Sequence, residues 1–210
     1  MQIRKLILLT TLYFSVFSLS AKAYVFGERS PRLNMGVGGG LFRLSIANFE
    51  NYYGSRLGVV YAGHLGYALS SSSLLLVKGR YFRKGNTLFD PTTGQHREQL
   101  WEEKWLCFGY RHYSPAWGSD ARSFFGMGLV FFFIDEKKDG TFLLSEGFRS
   151  RHYRPRGFYI STGYEHYLTD KLILGLEIEL SSAGLEEGNT LESQSVGGIY
   201  VGGELILLFF

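Results

Sequence analysis

The residues best equipped for chemistry are few and scattered. His112-Tyr113-Ser114 brings an imidazole and a hydroxyl close along the chain, the residue types that a nucleophile and its general base require. No third partner follows at a recognisable spacing, and Pro115 comes next as a turn begins. The pattern fits an interfacial His–Tyr pair ahead of a turn, so no catalytic residue is assigned. His64, His96, His152 and His166 lie far apart without ligand spacing, and no metal site is expected. The run Gly36-Val37-Gly38-Gly39-Gly40 lacks the Lys and the following helix of a phosphate loop, and no cofactor is expected. The most suggestive binding feature is the basic cluster Arg149, Arg151, His152, Arg154 and Arg156, suited to phosphate or another polyanion. Asp135, Glu136, Asp139 and Glu146 offset part of that charge locally.

A second set of charges is spread along the chain among large apolar residues. Arg43, Lys78, Arg80 and Arg111 supply four cations; Glu165, Glu177, Glu179 and Glu204 supply four carboxylates. The elements that must position them follow from the surrounding pattern, which alternates with period two from Leu33 onward. Eight strands are expected, at about 34–46, 56–68, 74–83, 100–113, 122–134, 157–168, 171–181 and 196–210. The seventh is the cleanest: Leu172, Leu174, Leu176, Ile178 and Leu180 alternate with Ile173, Gly175, Glu177, Glu179 and Ser181. The final strand is ambiguous in register, since Phe210, Leu208 and Ile206 share a face with Glu204, while Phe209, Leu207, Leu205, Val201 and Ile199 form the more continuous apolar face.

Connections of 70–73, 114–121 and 169–170 are short or moderate, and those of 47–55, 84–99, 135–156 and 182–195 are longer. Short and long connections alternate, as they do in a barrel with one periplasmic and one external rim. Asp139-Gly140 is a hairpin-type turn signal, and the segment beyond it reads as an extension of strands five and six above the membrane.

The ends and composition set the compartment. Arg4 and Lys5 precede an apolar run, Leu6 to Leu19, that is short for a membrane-spanning helix, and Ala21-Lys22-Ala23 fits a signal-peptidase site. Residues 1–23 are therefore expected to be a cleaved secretory signal, with Ala21 and Ala23 at the cleavage site, and 24–210 one barrel domain. Without that segment the 22 basic and 19 acidic residues become 19 of each, which removes any charge argument for nucleic acid. The single cysteine, Cys107, excludes an internal disulfide. Gly at 27 of 210 residues and aromatics at 17% are both high, as a β-rich membrane protein would have.

A soluble barrel would turn its large apolar face inward. An eight-stranded interior is narrow and filled by side chains, so this much aromatic bulk fits better outside, in lipid. The balanced charges then face the lumen, where buried charges persist only when paired. Tyr67, Tyr81, Trp101, Trp105, Tyr113, Trp117, Tyr153, Tyr159 and Tyr167 lie near strand ends and are expected to form interfacial girdles.

Gly109-Tyr110-Arg111 with Phe125-Gly126-Met127-Gly128-Leu129, the stretch Gly163-Tyr164-Glu165-His166-Tyr167-Leu168-Thr169-Asp170-Lys171-Leu172, and terminal Phe210 carry a resemblance. Together with the alternation over 24–210 they resemble the small outer-membrane β-barrels of the OmpA transmembrane-domain and OmpX type. The resemblance implies an all-β, closed, eight-stranded antiparallel up-and-down barrel in the bacterial outer membrane. Its implied partners are membrane lipid and lipopolysaccharide, the barrel-assembly machinery during biogenesis, and an extracellular partner for the loops. His112-Tyr113-Ser114 is similar to the His-x-Ser element of outer-membrane lipid A deacylases, but Pro115 stands where that family has Asn. The expected function is non-enzymatic, structural or surface-interacting; the alternative is a lipid A-modifying acyl hydrolase or transferase.

Overall fold

Antiparallel ladders join each strand to its sequence neighbour and the last strand to the first, closing an eight-stranded barrel. The computed structural model describes residues 32–46, 49–90, 94–115, 120–138, 149–184 and 195–209. The expected signal segment 1–23, with Ala21 and Ala23, lies outside the described residues, as do Trp117, Asp139-Gly140 and Phe210.

The strands are β1 (Leu33–Leu44), β2 (Leu57–Ser70), β3 (Ser73–Asp90), β4 (Gln95–Pro115) and β5 (Ala121–Lys138). They continue with β6, in two segments Arg149–Tyr153 and Arg156–Tyr167, then β7 (Leu172–Gly184) and β8 (Ser195–Phe209). The break in β6 falls at Pro155, which has no N–H to give the ladder. Its carbonyl still accepts from Phe132 N at 3.0 Å. The pairs Phe131–Arg156 and Ile134–Tyr153 keep one register across the break, so the two segments act as a single barrel strand. Closure is visible at Leu33, which lies opposite Tyr67 of β2 and Phe209 of β8.

β3, β4 and β5 run well past the expected boundaries. Lys84–Asp90 pairs with Gln95–Trp101, so the connection expected over 84–99 is largely a tall hairpin. Ladder hydrogen bonding continues above the apolar belt because backbone N–H and C=O groups pair across the two arms whatever side chains they carry. At about 3.3 Å per residue and a tilt near 40°, the seven residues beyond Arg83 rise roughly 15–20 Å above the membrane surface.

The connection between β1 and β2 contains α1 (Phe49–Tyr53). Phe49 and Tyr53 are four residues apart, hence on one helix face, and their rings stack at 4.4 Å. Both rings meet Trp101 edge-on, at 5.5 and 5.9 Å, so α1 caps the external mouth.

Two outcomes of strand pairing differ from the sequence expectations. Arg43 is exposed and points outward, between the inward Phe42 and Leu44. Its parity is that of Met35, Val37 and Leu41, and period two therefore excludes it from the lumen. Trp101, Trp105, Tyr113, Tyr153 and Tyr159 are buried inside rather than in a girdle. Each lies on the inward parity of its strand. Tyr67 of the expected set does face outward, and Tyr61, Tyr110 and Tyr164 join it on the outer surface. In β8 the face carrying Phe209, Leu207, Leu205, Val201 and Ile199 points outward, and Leu208, Ile206 and Glu204 point in.

Candidate functional site

The lumen is filled by side chains. At the short-turn rim, Leu74, Leu76, Tyr113 and Phe124 form one apolar cluster, and Ile173, Ile206 and Leu208 another. A network of charges starts among these residues, with Arg111 opposite Leu74 and Arg122 rimward of Phe124, and continues above them. Over that network sits a large cluster that includes Phe42, Phe82, Trp105, Phe132 and Trp101, reaching up to α1. Phe42 contacts Trp105 edge-on at 4.6 Å and Phe82 at 5.5 Å, which packs the barrel axis with aromatic rings.

Inward glycines make this packing feasible. A Cβ on Gly36 would lie 2.2 Å from the His64 ring, and one on Gly109 only 2.0 Å from the Tyr159 hydroxyl. Gly197 adopts φ +112°, a conformation that L side chains rarely take, where β8 crosses toward Ser45.

The charged layer brings together seven of the eight residues expected there, all except Arg43. Lys78 Nζ donates to Glu177 Oε1 at 2.8 Å and also to Glu179. Arg80 bridges the same two carboxylates, reaching Glu177 Oε2 at 3.1 Å. Arg111 contacts Glu165 at 2.7 Å and Glu177 at 3.5 Å. Arg122, absent from the expected set, takes Arg43's place and grips Glu165 Oε2 through Nε at 2.8 Å and Nη2 at 2.6 Å. Its inward parity on β5, opposite Phe125 and Met127, was the available signal. His64 Nδ1 lies 2.7 Å from Glu204.

Four cations and four carboxylates thus remain in balance. Aromatic faces add to the compensation: Lys78 sits 4.3 Å over Tyr159, Arg80 3.8 Å over Tyr200, and Arg111 3.8 Å over Phe124. With Arg122 and Glu165 interleaved among the rings of the lower cluster and the large aromatic cluster above, this network is a structural brace.

Higher up, Glu136 receives the hydroxyls of Tyr53 at 3.0 Å and Tyr153 at 3.2 Å. Burial and the nearby Glu136 carboxylate push the Tyr53 phenol above its ordinary range. Glu103 is fully buried, with Trp101 Nε1 on one oxygen at 3.0 Å and, among the described residues, no hydrogen-bond partner on the other.

The His112-Tyr113-Ser114 segment does not assemble a catalytic pair. Ser114 Oγ lies 2.8 Å from Ser123 Oγ, and no hydrogen bond joins His112 to Ser114 among the described residues. Tyr113 between them points inward and donates to Glu165. The segment ends β4 at the short-turn rim.

The basic cluster is divided by strand alternation. Arg151 shares the inward parity of Tyr153, while His152, Arg154 and Arg156 are exposed on the outer face. Arg149 belongs to the ladder with Lys138, opposite β5. His152 Nδ1 lies 2.6 Å from Asp135, whose carboxyl is held below its usual range by that hydrogen bond and by Arg154 at 3.5 Å.

The outer surface between the rims is a continuous apolar belt. Tyr61 is 67% exposed, Phe158 64%, Val37 63% and Leu129 58%. Apolar surface of this extent around a closed barrel requires lipid.

No protein-family model and no curated protein matches the sequence. Among solved structures, the chain is similar to Neisserial surface protein A, with a TM-score of 0.57 at 13% identity, covering 86% of this chain and 98% of that one. It is also similar to Ail, the attachment invasion locus protein of Yersinia pestis, seen with the heparin analogue sucrose octasulfate, with a TM-score of 0.51 at 9% identity over 85% of this chain and 99% of that one. Closed topology, lipid-facing belt and these likenesses agree that the chain has the fold of the small eight-stranded outer-membrane β-barrels.

Proposed function

We propose that this protein is a non-enzymatic outer-membrane barrel that acts through the parts standing outside the bilayer. The observation that carries this reading is the contrast between its two regions. The lumen is sealed by ion pairs and by the large aromatic cluster above them, while β3 and β4 extend a hairpin well past the belt. A sealed lumen offers no water path, and the His–Ser segment offers no activated nucleophile. What remains for recognition is the external rim and hairpins, with a lipid or extracellular macromolecule as partner.

The reading is tested by two measurements. Lipid A from cells with and without the protein should have the same acyl pattern by mass spectrometry, and the purified chain should give no stable single-channel steps in planar bilayers. An acyl chain lost or added, with the change abolished by Ser114→Ala, would make the protein an acyl hydrolase or transferase. Steady conductance would make it a pore.

A further inference from the structure

Pairing of β4, β5 and β6 aligns their outward residues in rows across the barrel wall. One row is Lys104, Phe133 and Arg154; the row below, toward the membrane centre, is Leu106, Phe131 and Arg156. Below these come Phe108, Leu129 and Phe158, fully within the apolar belt. The row above holds Glu102, Asp135 and His152.

The charges on this face are therefore sorted by depth. Carboxylates occupy the water side, and each is engaged: Tyr81 donates to Glu102 at 2.6 Å, and Asp135 pairs with His152 and Arg154. Cations occupy the lipid side. Lys104 and Arg156 are exposed, and neither forms an ion pair with a described carboxylate. Arg154 is half exposed and leans over the Phe133 ring at 5.5 Å.

We infer that Lys104, Arg154 and Arg156 form a site for the phosphate of a lipopolysaccharide molecule, with its acyl chains lying on Phe131, Leu106 and Leu129. Strand spacing sets the scale. Lys104 and Arg154 are two strands apart, about 9.6 Å between backbones, and long flexible side chains close that gap onto one phosphate group. Arg156 stands one row deeper, beside Phe131, where a charge with no partner is costly unless an anion reaches it from the headgroup layer.

The apolar floor decides the ligand class. Phe131 packs on Phe108 at 6.0 Å and leads without interruption into the belt. A soluble polyanion would leave that floor bare, whereas a phosphorylated lipid covers the cations and the rings together. Arg43, an outward cation on the far side of the barrel, lacks such a neighbour set: Leu57 and Ile199 flank it in the ladder. It serves as an internal control for an isolated side chain reaching the headgroups.

This inference rests on the lipid-facing exterior, and it stands apart from the absence of catalysis or conductance proposed above. Its test uses the full folded chain in detergent micelles, titrated with diphosphoryl lipid A and followed by native mass spectrometry. One retained lipid is expected, with at least tenfold weaker retention in the Lys104→Gln/Arg156→Gln double variant and little change in Arg43→Gln. Lipid A stripped of phosphate should be retained as poorly by the wild type as diphosphoryl lipid A is by the double variant. Both substituted residues are exposed and form no ion pair with a described carboxylate, so folding should survive, and the heat-dependent gel shift checks it. Equal retention by the double variant and the wild type would overturn the site. So would an equal loss in Arg43→Gln, or heparin displacing the lipid at matched charge.

Discussion

Glu177 is the hub of the luminal brace, and replacing it with leucine tests the charge balance directly. Its carboxylate meets Lys78 at 2.8 Å, Arg80 at 3.1 Å and Arg111 at 3.5 Å, and the residue is only 4% exposed. Glu177→Leu leaves four cations facing three carboxylates in this buried network. Three charge-assisted hydrogen bonds at about 1.5–3 kcal/mol each would suggest a very large loss. The neighbours soften it, because Glu179 still holds Lys78 and Arg80, and Glu165 still holds Arg111. The net effect is then one unpaired buried cation, worth about 3–5 kcal/mol. That corresponds to roughly a hundred- to several-thousand-fold in the folding equilibrium. Adding Lys78→Met removes the surplus cation, and the double variant should regain about 2 kcal/mol or more. Urea titration in lipid vesicles, read by the heat-dependent gel shift and by emission from Trp101 and Trp105, measures both. A single variant within about 1 kcal/mol of wild type, or a double variant no better than the single, would refute the brace.

Glu103 carries a buried carboxyl with one hydrogen bond and no facing cation among the described residues; Glu103→Gln keeps the acceptor for Trp101, so the urea midpoint should stay level or rise, and a clear fall would show that the charge is needed. Cys107 is fully buried in the lumen, so a maleimide should label it only after unfolding, with native-state labelling arguing against the inward register of β4. Asp135 is held below the ordinary carboxylate range by His152, and a depressed folded-state value contributes stability that is present above that range and lost as pH falls through the folded value. Protection factors in Ile134–Lys138, corrected for the intrinsic slowing of exchange in acid, should therefore drop locally as pH falls, and Asp135→Asn should abolish that pH dependence; unchanged protection down to the folded value would remove the contact from the account.

Much of the barrel was legible in period two. The clean alternation of Leu172 to Leu180 against Glu177 and Glu179 marked both faces of β7 before any pairing was known, since side chains on a strand must alternate. The same rule contained the correction to its own misreading: Arg43 shares parity with Leu41, and Arg122 with Gly126 and Gly128. The extent of β3 and β4 above the membrane was not legible, because Lys84–Gln99 is polar on both faces and looks like loop until its hydrogen-bond partners are in place. Nor did single residues reveal which tryptophans face lipid. Trp101 and Trp105 resemble girdle residues in type and position, and only their parity against closed neighbours turns them inward.

The sequence by itself determined the strand count, the alternation and the stock of opposite charges, all of which depend on short-range spacing. Tertiary structure alone decided which charges meet. Lys78 and Glu177 are 99 residues apart, and the row of Lys104, Phe133 and Arg154 exists only once three strands share a register. Pairing across a closed wall is a long-range condition: each ladder is consistent with the next only when β8 returns to β1, and no local pattern encodes that closure.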